Sequence, residues 1–394
     1  MSLNNTPSGE RVHISFFGKR NAGKSSLVNA VTGQNMSIVS DTLGTTTDPV
    51  TKSMELLPIG PVVICDTPGY DDTGALGEQR VKKTKQILNK TDIAVLVIDA
   101  YFGQTVEDEE IIDIFVQKNI PYIIVHNKCD LKEIKAKSPN EICVSAVSGK
   151  NINELKELIA RAIPSGDSKT IISHKLNKGD IVVLVTPIDE AAPKGRLILP
   201  QVQTIRDILD KHAICITTQT DELKIVLEAL KNPPKLVICD SQVFGVVKNI
   251  VPDDVYLTSF SILFAGYKGV LNTAVKGAKS LESLNDGDTV LICEGCTHHR
   301  QCNDIGTVKM PGWIKNYTGK NLNFEFTSGG EFPEDLSKYS LVVHCGGCML
   351  NEREMMYRQK WAEDNNINYT NYGTLIAYMN GILERSLEIF DMEF

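Results

Sequence analysis

The sequence predicts an α/β protein of three domains. Strand-length apolar runs alternate with segments of helical spacing, the pattern of a largely parallel sheet covered on both faces. That pattern occurs in three successive blocks, and 394 residues are too many for one ordinary core. In the first block the strand candidates are 11–17, 60–65, 93–99, 121–126 and 142–145, with helical segments at Ser26–Thr32 and Gly77–Leu88. The polar stretch Ser165–Thr170 reads as a linker. The second block has strand candidates at Ile181–Val185, Ala213–Thr217, Leu236–Cys239 and Val255–Thr258, with helices at 200–212, 220–231 and 241–249. The third has strands at Thr289–Ile292, Leu322–Phe326 and Leu341–His344 and closes on 373–390, apolar at helical spacing. The expected divisions are a disordered 1–10, then 11–166, 167–265 and 266–394.

Composition excludes several classes. The 42% hydrophobic and 23% charged content is that of a globular chain, and no run of 18 apolar residues exists to span a bilayer, so no membrane partner is expected. The polar Met1–Glu10 has no apolar signal-peptide core, which leads to an expected cytoplasmic location. A net charge of −8 argues against a nucleic-acid partner. The ten cysteines are then expected as free thiols or metal ligands. Cys65, Cys143, Cys215 and Cys239 lie in or beside apolar runs, and with Cys129 they read as core.

Gly18-Lys19-Arg20-Asn21-Ala22-Gly23-Lys24-Ser25 follows a strand and opens a helix, as a phosphate-binding loop must. Its glycines let backbone N–H groups, through Ser26, face the phosphates. Lys24 reaches the β/γ oxygens and the Ser25 hydroxyl ligates Mg²⁺. Asp66-Thr67-Pro68-Gly69 follows the next strand, where Asp66 binds Mg²⁺ through water and the Gly69 amide senses the γ-phosphate. Asn127-Lys128-Cys129-Asp130 and Ser145-Ala146 end two further strands. The Asp130 carboxylate can accept from guanine N1 and N2, which adenine cannot match, so GTP and GDP are the expected ligands.

The order of these motifs resembles the Era and TrmE branch of the translation-factor-like GTPases. Gly44-Thr45-Thr46-Thr47-Asp48 looks like that branch's switch I, with Thr47 in place of the usual arginine. Thr46 is assigned to Mg²⁺, with Thr45 as runner-up. Tyr70 stands where Ras-like enzymes carry a water-orienting glutamine. The resemblance implies that Asn21 helps hold a K⁺ ion in place of an arginine finger, giving slow, K⁺-stimulated hydrolysis. The catalytic set is thus Lys24, Thr46 and Asn21; Asp71 and Asp72 read as solvated switch carboxylates.

The third block holds Cys296-Thr297-His298 and His344-Cys345-Gly346-Gly347-Cys348. Cysteines at i and i+3 can chelate one ion or cluster, with glycines permitting the turn. Cys296 and Cys345 each follow a strand, where open α/β sheets place ligands. Cys296, Cys345 and Cys348 form a trio, with His298 as a conditional fourth donor; Cys293 and Cys302 are weaker substitutes, and His299 and His344 read as supporting residues. On chemistry alone zinc and an iron–sulfur cluster are both open.

An Era-like GTPase, the middle segment Pro187-Ile188-Asp189-Glu190-Ala191-Ala192-Pro193-Lys194-Gly195-Arg196-Leu197 and the terminal cysteine motifs together resemble the HydF family of FeFe-hydrogenase maturation GTPases, over essentially the whole chain. The resemblance implies a P-loop GTPase domain, a small α/β dimerisation domain and an α/β domain binding a 4Fe-4S cluster. It implies that Cys296, Cys345 and Cys348 hold the cluster, whose fourth site stays exchangeable. It also implies a scaffold that delivers a diiron precursor to apo FeFe-hydrogenase, radical-SAM maturases as partners and a homodimer. The rivals are a ribosome- or tRNA-directed GTPase with a structural zinc domain, and a redox electron-transfer module.

Overall fold

The computed structural model describes residues 6–34, 50–70, 84, 86–132, 134–136, 138–163, 169–187, 197–295 and 304–392. Thr45, Thr46, Asp71, Asp72, Cys296, His298, His299 and Cys302 lie outside them, as do most of the Pro187–Leu197 segment and of the Gly77–Leu88 helix. The chain divides into two compact units, Met1–Gly166 and Asp167–Phe394.

The first unit is built on a six-stranded sheet. β1 (Val12–Phe17), β2 (Val50–Leu56), β3 (Gly60–Asp66), β4 (Ile93–Asp99), β5 (Tyr122–Asn127) and β6 (Glu141–Cys143) are ordered β2-β3-β1-β4-β5-β6. All pair in parallel except β2, which lies antiparallel on β3 at the edge. β2 is a strand that the apolar pattern does not predict, because Thr51-Lys52-Ser53 is exposed and gives no apolar run. Successive side chains serve opposite faces. Phe16 joins the core under helix Lys24–Thr32 and helix Ile152–Ala162, while Phe17 joins the one under helix Val106–Gln117.

The second unit carries two four-stranded parallel sheets. β7 (Ile181–Val185), β8 (Ile214–Thr218), β9 (Leu236–Cys239) and β10 (Tyr256–Ser259) are ordered β10-β9-β7-β8. β11 (Thr289–Glu294), β12 (Asn323–Ser328), β13 (Leu341–His344) and β14 (Asn368–Asn371) are ordered β12-β11-β13-β14. β7 pairs on both sides, so Ile181–Val185 is a central strand and β8 and β10 are the edges. One continuous core runs from Val183 and Val237 through Ile262 and Val275 to Ile292 and Leu375, and the two sheets therefore share their interior. Helix Leu271–Lys279 lies close on β14: a Cβ on Gly277 would stand 2.0 Å from the Tyr369 carbonyl oxygen, so only glycine allows that approach.

Two expectations are corrected. The apolar 373–390 segment is not one helix but Tyr372–Met379, Leu383–Leu387 and a 3₁₀ turn, interrupted at Gly381, whose φ is +67°. Cys143 and Cys215 are only half-buried, whereas Cys65, Cys129 and Cys239 are in the core.

Strand order locates the sites. In the first sheet the chain leaves β1 toward β3 and later returns to β4 on the other side. In the third it leaves β11 toward β12 and returns to β13. Ligands in such sheets settle at the carboxyl ends of the strands where direction reverses. The phosphate-loop sequence leaves β1 there, and the two cysteine segments leave β11 and β13 there.

Candidate nucleotide and cysteine sites

At the first reversal point the backbone forms a cradle. Asn21 has φ +60° and Gly23 φ +85°, and Gly23 caps helix Lys24–Thr32, turning the helix's free amides and the positive end of its dipole toward the loop. Close packing dictates the glycines: a Cβ on Gly18 would meet the Val97 carbonyl oxygen at 2.3 Å, and one on Gly23 would meet Asn127 Nδ2 at 2.3 Å. Lys24 is buried, and its Nζ donates to the carbonyls of Gly18 at 2.7 Å and Lys19 at 2.8 Å, spanning the cradle. The Ser25 hydroxyl donates to Asp66 Oδ2 at 2.6 Å, and Asp66 Oδ1 is buried with no hydrogen-bond partner. A hydroxyl beside an orphaned carboxylate oxygen fits Mg²⁺, which takes hard oxygen donors. Thr67 fixes the start of the next loop by donating through N–H and Oγ1 to Phe16 O at 3.2 and 2.7 Å. Gly69 is buried, and the Tyr70 hydroxyl donates to Asp108, so it is committed to a structural bond.

The base-recognition segments are tied to the same loop. Asn127 Nδ2 donates to Ala22 O at 3.0 Å, and its Oδ1 accepts from Ala146 N at 3.1 Å. Lys128, at φ +64°, donates to Asn21 O and Asp99 Oδ2, both at 2.7 Å. Ser145 Oγ accepts from Ser148 N at 3.1 Å, holding the Ser145-Ala146 turn, and Asp130 is exposed beyond β5. Every described member of the expected nucleotide set, Gly18, Asn21 to Ser26, Asp66, Gly69, Asn127, Lys128, Asp130, Ser145 and Ala146, thus lies at or just beyond the carboxyl ends of β1, β3, β5 and β6 or in the first turn of helix Lys24–Thr32. Asp99 was missed: its role as anchor for Lys128 depends on β4 lying beside β5.

In the second unit Cys293 pairs with His344 across β11 and β13, which brings the ends of these strands together although they are far apart in sequence. Cys345 N donates to Cys293 O at 2.9 Å. Cys345 Sγ in turn accepts from Gly295 N at 3.0 Å and Gly347 N at 3.4 Å. Two amides aimed at one sulfur stabilise a thiolate, the form that binds metal. Gly295 directly precedes Cys296. Gly347 has φ +62°, and a Cβ there would meet Met355 Sδ at 2.4 Å, so glycine is required in the turn. Cys348 is half-buried, and desolvation pushes its thiol pKa up. Cys293 is fully buried, its pKa pushed up to about 11 chiefly by desolvation, as befits a core thiol. Reduced sulfur donors on a turn, backed by amides, fit a soft metal or an iron–sulfur cluster.

His344 is a supporting residue. It is fully buried, with Nδ1 2.8 Å from Cys345 O and Nε2 3.0 Å from Arg358 NH1. Arginine can only donate, so Nε2 accepts and the proton sits on Nδ1, which donates to Cys345 O. Both ring nitrogens are committed. Desolvation first, then the charge of Arg358, lower its pKa to about 3. Between pH 6.5 and about 3 the unfolded chain therefore binds a proton that the native one refuses, and stability falls as pH drops through that window. The loss approaches about 1.4 kcal/mol per pH unit. Trp313 and Trp361 are the chain's two tryptophans, both in this unit, so denaturant melts followed by their fluorescence at pH 7 and 5 report the slope. A His344→Gln chain is expected to flatten it.

With the geometry in place, comparison with known proteins decides the affiliation. Residues 171–269 match the hydrogen maturase F dimerization domain, and residues 272–389 match its tetramerization domain. The chain belongs to the HydF family. Residues 13–128 match a GTPase domain described as a 50S ribosome-binding GTPase. The tRNA modification GTPase MnmE of Thermoanaerobacter sp. is 36% identical over 165 residues, covering 40% of this chain and 36% of that protein. GTPase Era of Aquifex aeolicus is 34% identical over 173 residues, covering 39% of this chain and 58% of its own. The chain thus spans little more than a third of the MnmE relative. The crystal structure of Aquifex aeolicus Era bound to GDP and aluminium fluoride aligns with 52% of this chain and 91% of that one, at 25% identity and a TM-score of 0.35. The HydF segments cover the whole second unit's paired sheets, and the third block, read from its cysteines as a metal domain, carries the family's tetramerization description. No helix among the described residues is long and apolar enough to cross a membrane.

Proposed function

We propose that this HydF member is a GTP-hydrolysing scaffold for assembly of the FeFe-hydrogenase diiron subcluster, and that it holds a 4Fe-4S cluster on Cys296, Cys345 and Cys348. The observation that carries the reading is Cys345 Sγ, which accepts two backbone amides at the reversal point of a HydF sheet, one of them from the residue preceding Cys296. When bound, the cluster supplies an iron whose fourth ligand is exchangeable, with His298 as conditional donor. Cys345 and Cys348 hold it, Gly295 and Gly347 stabilise the thiolate charge, and His344 fixes the carbonyl of Cys345. The cargo is a diiron precursor received through radical-SAM maturases and passed to apo-hydrogenase in the cytoplasm, by a homodimer or larger assembly of this chain.

In the nucleotide domain, Lys24 holds the β/γ oxygens, Ser25 and Thr46 hold Mg²⁺ with Asp66 behind them, and Asp130 reads guanine. Tyr70 cannot orient water, since its hydroxyl serves Asp108. K⁺ held with Asn21 then supplies the missing positive charge. The sequence matches to MnmE and Era cover about two-fifths of the chain and only part of each relative, so the tRNA modification named for MnmE is not carried over. Anaerobic purification with iron, sulfide and zinc analysis, EPR, and GTP turnover in K⁺ against Na⁺ tests the reading. Labile sulfide and iron with K⁺-stimulated turnover are expected. Stoichiometric zinc without sulfide, or full cluster retention in Cys345→Ser, would sink the cluster assignment, and equal turnover in both salts would sink the K⁺ site.

A further inference from the structure

Helix Phe260–Tyr267 ends at Lys268, and there the side chain turns inward: the residue is only 3% exposed. A lysine at a helix end ordinarily extends its ammonium to water. Here Nζ donates to the Leu350 carbonyl at 3.0 Å and lies 5.5 Å from the centre of the Tyr267 ring. Leu350 N in turn donates to Gly347 O at 3.0 Å, so the ammonium is fastened to the turn that carries Cys345 and Cys348. Its charge also acts on Cys348, opposing the rise that burial imposes on that thiol. The neighbouring backbone is fixed as well. Gly269 has φ +75°, and a Cβ there would stand 3.2 Å from Met356 Sδ on the helix that follows the cysteine turn. Lys268 thus reaches from the segment matched by the dimerization domain to Leu350, at the end of the cysteine turn in the segment matched by the tetramerization domain.

We propose that Lys268 is a positioning residue of the cysteine site, whose buried ammonium holds the Cys345–Leu350 turn and favours the reduced state of a cluster bound there. The inference rests on the cluster reading above. Reduction adds one negative charge to the cluster, and a fixed cation in a water-poor setting stabilises that charge with little screening. Cluster potentials respond to such local charge. Neither cysteine motif points to Lys268, which lies 28 residues before Cys296 and 77 before Cys345.

EPR-monitored redox titration of the anaerobically reconstituted full chain tests this, comparing wild type with Lys268→Met, Lys268→Arg and Lys276→Met. Lys276 is exposed, so its variant changes net charge equally at a solvated site. Lys268→Met is expected to lower the reduction equilibrium constant at least tenfold, a shift of about 59 mV for one electron. Lys268→Arg and Lys276→Met should stay near wild type. A cluster-bearing Lys268→Met chain at the wild-type potential overturns the inference and leaves the cluster reading intact. If Lys268→Met sheds its iron, Lys268→Arg decides: wild-type iron content and potential support the role, and loss of iron overturns it. A wild-type chain that takes up no iron and sulfide overturns both.

Discussion

Lys24→Ala is expected to reduce GTP turnover by about 10²–10³-fold or more while leaving the fold intact. The ammonium is buried at the mouth of helix Lys24–Thr32, where it donates to two loop carbonyls at 2.7 and 2.8 Å, and so it is held where the terminal phosphates would meet the helix's free amides. Charge developing on the transferred phosphoryl oxygens is met there by a preorganised cation in a low-dielectric setting, which alanine cannot supply. Each neutral-carbonyl bond lost costs only about 0.5–1.5 kcal/mol of stability. Single-turnover hydrolysis and nucleotide binding, measured together, check the claim. Near-wild-type hydrolysis would remove Lys24 from the chemistry, and a collapsed thermal transition would make its role structural.

Arg358→Met should be the most destabilising single change in the second unit. Arg358 is fully buried, yet each of its three guanidinium nitrogens has a partner. Nε and NH2 lie 2.9 Å from Glu354 Oε1, NH1 donates to His344, NH2 donates to Gly329 O at 2.8 Å, and the group sits 5.3 Å from the Phe332 ring centre. Methionine fills the volume but leaves the Glu354 carboxylate buried without its cation. Breaking one side of such a pair costs about 3–5 kcal/mol, whereas replacing both partners by apolar residues is often nearly neutral. Glu354→Met with Arg358→Met is therefore expected to recover most of the loss, a coupling that denaturant melts on Trp313 and Trp361 would read. Additive losses in the double variant would contradict the charge-pair account. The single variant should also loosen the cysteine turn, because His344, which Arg358 orients, holds the Cys345 carbonyl.

The two sites differ in how much of them the sequence reveals. The phosphate loop is a contiguous run whose chemistry is backbone conformation plus one lysine and one serine, so Gly18 to Ser25 mark it in the sequence alone. Asp66, Asn127 and Ser145 could be added because each stands at or just past the carboxyl end of an apolar strand, and parallel strands deliver those ends to one side of the sheet. The place of Cys345 was legible for the same reason, since it follows the strand that ends at His344. β2 was not legible: an edge strand with exposed Thr51, Lys52 and Ser53 makes backbone bonds without an apolar pattern. Nor was the break at Gly381, because helical spacing continues on both sides of it.

By itself the sequence determined the chemistry of each motif and the strand that carries it, because both are local: a turn needs particular glycines, and a buried strand needs a run of β-branched residues. Tertiary structure alone decided which charges would be removed from water. Glu354 and Arg358 have the i,i+4 spacing that solvated helix pairs share, and Lys268 stands at a helix end where ammonium groups ordinarily meet water, yet all three are buried near the cysteine turn. Burial depends on what packs over a residue, here a core shared by two sheets. The energy of a charge depends on that setting far more than on its neighbours in the chain.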